Sequence, residues 1–152
     1  MTLKNEVESV GTFVKSVVPG ASLKYDVPTQ PTKDNVVVRI QGTESESETG
    51  YHYRTDRTYQ IVVYGEDALD VQTKMDALRR KCMDGKMAIP INGSLRYIRI
   101  GSFSFSAPIR TEGGLFACIG VMPTEVREAR TQEQYDKIMH VYGRYEIRVP
   151  LQ

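Results

Sequence analysis

The chain has 152 residues, 40% of them hydrophobic and 26% charged, the balance of one folded domain rather than of a disordered chain. With 20 Lys+Arg against 19 Asp+Glu the net charge is +1, which excludes the strong basic field of a dedicated nucleic-acid binder. Near-neutrality also does little to oppose self-association.

The N-terminal MTLKNEVESVGTFVKSVV places Leu3, Val7, Val10, Phe13, Val14 and Val17 at helical steps. Thr2 is the expected N-cap and Pro19-Gly20 the stop. The stretch lacks the pattern of a signal peptide. No apolar run in the chain approaches the roughly 18 residues of a membrane span, so no membrane partner is expected. ASLKYDV follows as a short strand with Leu23, Tyr25 and Val27 on one face, then a proline-containing loop. VVVRIQ is a second strand with Val36, Val38 and Ile40 on one face.

GTESESETG, residues 42–50, has no apolar residue and reads as a mobile acidic hairpin tip carrying Glu44, Glu46 and Glu48. The next strand, Tyr51 to Tyr64, begins polar and ends apolar on both faces, so it starts outside the body of the domain and enters the core. With VVVRIQ it forms a protruding β-hairpin. After Gly65, Ala68, Val71, Met75, Leu78 and Cys82 step by 3, 4, 3 and 4, a regular helix stripe. Asp67 and Asp70 open that helix, Arg79, Arg80 and Lys81 close it, and Gly85 is its C-cap glycine. MAIPINGS is an extended connector ending in a turn. LRYIRIGSFSFS alternates until Gly101, where the phase breaks as at a bulge. LFACIGVM is a central strand interrupted by Pro123. TEVREARTQEQYDKIM is either a helix or a strand, a polar turn and a second strand. HVYGRYEIRV alternates as a final strand.

The expected architecture is α+β: a single mostly antiparallel β-sheet with two α-helices packed on one face and a protruding hairpin, all within one domain, residues 1–152.

The strand, glycine and helix of YGEDALD do not meet the needs of a phosphate site. A P-loop needs converging backbone N–H groups and a lysine. Here Glu66 and Asp67 place negative charge where a phosphate would sit. Cys82 and Cys118 form no CxxC pair and read as reduced core thiols, which suits a cytosolic compartment. His52 and His140 lie far apart in sequence and neither joins a local catalytic or metal motif. Catalytic, cofactor-binding and metal-ligating residues are therefore all expected to be none. Tyr51, Tyr53, Arg54 and Arg57 beside the acidic tip combine residue types enriched at protein contacts, so these four with Glu44, Glu46 and Glu48 are the candidate subunit interface.

The N-terminal helix, the long hairpin with a polar tip, RTYQIVVYGEDALDVQTKMDALRRKC and the following antiparallel strands resemble the phage tail terminator and tail completion proteins of the virion neck. The resemblance spans residues 3–122 and rests on arrangement rather than on a diagnostic motif. It implies a homo-hexameric ring at the top of a tail tube, assembled in the host cytoplasm and located in the virion. The ring ends tube polymerisation. Its implied partners are copies of itself, the tail tube protein and the head–tail connector protein. DNA passes through its lumen without sequence readout. Two other readings compete. One is a small ligand-binding or enzymatic domain whose pocket gathers His52, Tyr59 and His140. The other is a nucleic-acid adaptor using the Tyr/Arg arm.

Overall fold

A computed structural model describes residues 2–132. Helix α1 spans Leu3–Val17, and the Thr2 side chain accepts a hydrogen bond from the Asn5 N–H at 3.4 Å as its N-cap. Strands β1 (Ser22–Lys24), β2 (Asn35–Ser47) and β3 (His52–Gly65) follow, then α2 (Ala68–Met83). The remaining described strands are β4 (Ala88–Pro90), β5 (Tyr97–Ile100), β6 (Ser104–Phe105), β7 (Ile109–Arg110) and β8 (Phe116–Ala129). They form one sheet in the order β1-β2-β3-β8-β5-β4, with β6 and β7 also on β8. Only β1 against β2 is parallel among the described residues.

Alternation along the strands sends one set of side chains to the helices and the other to the open face. Tyr59, Ile61 and Val63 of β3 join Val36 and Val38 of β2 and Cys118 and Met122 of β8 under the helices. From α2 come Val71, Met75, Leu78 and Cys82, each with no exposed surface, as the stripe predicts. Burying each such side chain contributes roughly 1.5–3 kcal/mol. Burial also pushes the Cys82 thiol up to about 12, so it stays a neutral core group. Val37, Val62, Tyr64 and Ala117 form a smaller buried cluster on the other face, which explains why this part of β3 is apolar on both sides.

Gly85 follows the C-cap Asp84 with φ +69, the left-handed conformation that ends many helices. Nothing lies within 4 Å of where a Cβ would stand, so only backbone strain opposes substitution. Gly85→Ala is expected to lower stability by about 1 kcal/mol, measured by thermal or denaturant unfolding.

Several expectations change. β1 stops at Lys24, and Tyr25 and Val27 are exposed, because only three residues find partners on β2. The connector MAIPINGS, residues 87–94, contains strand β4. The alternation of LRYIRI leaves its inner face open; Ile98 and Ile100 face inward, and Leu95 and Tyr97 are exposed. On α1, Val10 and Val14 are fully buried but Leu3 is half exposed, and the polar Glu6 and Ser9 turn inward beside them. The phase break at Gly101 is a bulge. Ile100 pairs with Thr124 and Ser104 with Val121, four steps on one strand against three on the other.

Pro123 does not end β8. Its carbonyl accepts from Gly101 N–H at 2.9 Å, so its nitrogen faces the same irregular gap between β5 and β6. No ladder bond is lost there, and the strand runs on to Ala129. Segment 124–129 is therefore strand rather than helix. The expected strand at 140–149, His140 and the rest of the uncertain segment lie outside the described residues.

Candidate functional site

Beyond the body of the sheet the chain builds a polar arm. Gln41 is an extra residue in β2, between the pairs Ile40–Tyr59 and Gly42–Thr58. Past this bulge, Gly42–Ser47 pairs with β3, and His52–Arg57 of β3 pairs with Thr124–Ala129 of β8. The arm thus has three strands, not the two of the expected hairpin. The expected tip at 42–50 also shrinks. Residues 42–47 are strand although every one is exposed, and the reversal occupies 48–51.

Ion pairs hold the open face of the arm. Arg54 reaches Glu46 on one neighbouring strand, Asp56 at 3.0 Å on its own strand and Glu125 at 3.8 Å on the other. Arg127 reaches Glu48 at 3.1 Å and Glu125 at 3.5 Å. Hydrogen bonding to Asp56 raises the Arg54 pKa further, so this residue remains a cation. Such exposed pairs are individually worth about 0–1 kcal/mol, but together they fix which strands face each other. At the reversal the Thr49 hydroxyl accepts from the N–H groups of Tyr51 and His52. Arg130 donates to the Thr49 carbonyl at 2.8 Å, and its guanidinium lies 5.9 Å from the Tyr53 ring centroid. The Tyr51 side chain stands out of the tip, with Tyr51 75% exposed.

The base of the arm is tied to α1. Arg57 Nη1 donates to Glu6 Oε1 at 2.6 Å, with Glu6 2% exposed and Arg57 14% exposed at the side chain. Thr124 donates to the Arg57 carbonyl from β8. Burial raises the Glu6 pKa, and the Arg57 charge offsets part of that rise. The Tyr59 hydroxyl lies buried without a hydrogen-bond partner among the described residues. Its pKa is raised by the same burial and then by Glu6.

Of the seven sequence-predicted interface residues, Glu44, Glu46, Glu48 and Arg54 share the open face of the arm. Tyr51 marks its tip, and Tyr53 lies on the helix side. Arg57 is engaged inside, with Glu6. Sequence reasoning misses Glu125, Arg127 and Arg130; Glu125 and Arg127 alternate with the buried Val126, a strand signal that the preceding proline leaves open against a helix. In the sequence the basic residues look scattered. The fold gathers Lys86, Arg96, Arg99 and Arg127 around one shallow groove of about 710 Å³, with Tyr97 and Glu125.

The competing pocket is not assembled by its described members. His52 sits at the arm tip, hydrogen-bonded to Thr49, while Tyr59 is buried under the helices. His140 lies outside the described residues. A cleft of about 320 Å³ between α1, α2 and the sheet is lined mainly by apolar residues, with Asp34, Thr73 and Lys74 at its polar points. Among the described residues no group of three or more His, Cys, Asp or Glu is placed to hold a metal ion. No described helix is long and apolar enough to cross a membrane.

No protein-family model matches the chain. No curated protein matches it. Among solved structures it is similar to a chain described as "Virion of native gene transfer agent (GTA) particle", with 11% identity over 76% of this chain and 84% of that chain and a TM-score of 0.44. A likeness this distant transfers no function to the chain.

Proposed function

We propose that the chain is a structural virion protein of a phage or phage-like tail. Copies of it form a closed ring, a homo-hexamer, that caps the tail tube, ends its polymerisation and joins the tail to the head connector. The reading starts from the family resemblance of the sequence. The single observation that supports it best is the arm, three paired strands with a polar open face that are rooted in the core at Thr55, Thr124 and Val126 and run outward from it to Tyr51. A ring subunit needs a stiff element to reach its neighbour, and paired strands supply one. Glu44, Glu46, Glu48, Tyr51, Tyr53 and Arg54 form the reaching surface, and Arg57 anchors it to α1. A ring requires two different surfaces of each copy to meet, and an arm with two unlike edges meets that requirement. DNA crosses the lumen without sequence readout, in keeping with the small net charge.

The expected result is a particle of about six chain masses by light scattering, ring-shaped by negative-stain imaging, that halts growth of tail tube protein in vitro. A chain that stays monomeric at high concentration, and also with tube protein present, refutes the proposal.

A further inference from the structure

Charge changes in one direction across the arm. The neighbouring strands run β2, β3, β8, β5, β4. Residues 42–48 carry three Glu and no Lys or Arg, a net −3. On the open face Arg54 pairs with Asp56 and also with Glu46 of β2, and Arg127 pairs with Glu125 and also with Glu48, so Glu44 is the edge acid without an ion pair among the described residues. Residues 85–100 carry one Lys, two Arg and no acid, a net +3. The acidic side is also an open ladder. β1 covers only Asn35–Val37, so among the described residues Val38–Ser47 has no strand on its outer side. The basic side is built differently. β4 is three residues long and ends in Pro90, which cannot donate to an added strand. Its groove presents side chains instead: Lys86, Arg96, Arg99 and the half-exposed Tyr97. Its one carboxylate, Glu125, is already shared by Arg54, Arg99 and Arg127.

We infer that the acidic β2 edge of one copy docks in the β4–β5 groove of the next copy, with Glu44 facing Lys86 and Arg99, and with Glu46, which also holds Arg54, beside it. This inference rests on the ring reading above and names the two surfaces that meet. The same charges work against the symmetric alternatives. Edge against edge brings acid to acid, and groove against groove brings base to base. Only the head-to-tail contact is complementary, and head-to-tail contacts are the kind that close into rings. Tyr97 supplies an aromatic surface at the groove, a residue type favoured at such contacts.

Two full-length variants test the docking. Lys86→Glu with Arg99→Glu makes the groove acidic, and Glu44→Lys with Glu46→Lys makes the edge basic. Each variant alone is expected to run as a folded monomer by light scattering and circular dichroism. Mixed in equal amounts, they are expected to recover the wild-type mass, because every acidic edge then meets a basic groove and the reverse. A six-membered ring permits this alternation, since six is even. Wild-type assembly is expected to weaken at high salt. Either variant assembling unaided, or a mixture that stays monomeric, overturns this docking and leaves the ring reading standing. A wild-type chain that is monomeric throughout overturns both. Variants that still assemble but lose low-salt binding of duplex DNA assign the groove to nucleic acid and overturn it too.

Discussion

Arg57→Leu is expected to lower the free energy of unfolding by about 3–5 kcal/mol at neutral pH, read from the denaturant midpoint. The substitution leaves the Glu6 carboxylate 2% exposed with its main cation gone. Glu128 lies close enough to disfavour its charge further. The bond that is lost ties α1 to the base of the arm, so the arm loosens together with the helix. The Glu6 pKa is raised, chiefly by burial. Desolvation outweighs the attraction of Arg57, so the pair as a whole is not a large source of stability. What costs energy is breaking half of it. The double variant Glu6→Leu with Arg57→Met is therefore expected to return to within about 1 kcal/mol of wild type. If the double variant is as unstable as the single one, the pair itself is stabilising and this account is wrong.

The same group predicts a pH dependence. The folded chain holds the Glu6 proton more tightly than the unfolded chain does, because the folded pKa is raised above 4.5. Stability from this group is fully present below the unfolded value. It is lost as pH rises through the folded value. Asp76 works the other way. Hydrogen bonds from Arg80 and Arg79 lower its pKa, so its contribution is lost on acidification. Comparing wild type with Glu6→Gln across this range isolates the Glu6 slope, which the Gln variant should lack.

The core is legible in the sequence because its signals are local. The α2 stripe from Val71 to Cys82 and the doubly apolar Ile61 to Tyr64 announce their surroundings without any knowledge of partners. The arm is legible only in part. Thr43 to Ser47 have no apolar residue to set a period, and their strand state depends on Arg57 to Tyr53 across the ladder. That pairing is tertiary information. In the sequence Glu6 is an ordinary first-turn acid, because the helix dipole accounts for it fully. Its inward turn depends on an arginine 51 positions away. Pro123 misleads for a similar reason, since a missing N–H matters only when a neighbour would have accepted it, and there the neighbour is a gap. The groove cations, Lys86, Arg96, Arg99 and Arg127, are scattered along the chain and gathered only by the order of β4, β5 and β8.

Gly65→Ala is expected to cost about 1–3 kcal/mol, through crowding rather than through the backbone. The sequence suggests that this glycine frees the chain to turn sharply from β3 into α2. In the structure its φ is not positive, so no special conformation demands glycine. Space demands it. A Cβ at this position would lie 2.7 Å from Val71 Cγ1 and 3.4 Å from Asp70 Oδ2. Val71 is fully buried on the first turns of α2, and a β-branched side chain in a helix has one favoured rotamer, so it cannot swing away. Nor can the helix retreat, because only Glu66 and Asp67 separate β3 from α2. Val71→Ala removes the obstructing methyl groups at the cost of a cavity. Combined with Gly65→Ala it should cost less than the sum of the two single changes, with a favourable coupling of about 1 kcal/mol or more. Gly113→Ala, where nothing lies within 4 Å of the added Cβ, is the control and should change stability by less than about 0.5 kcal/mol. Strictly additive costs at residues 65 and 71 would show that the glycine serves the turn after all.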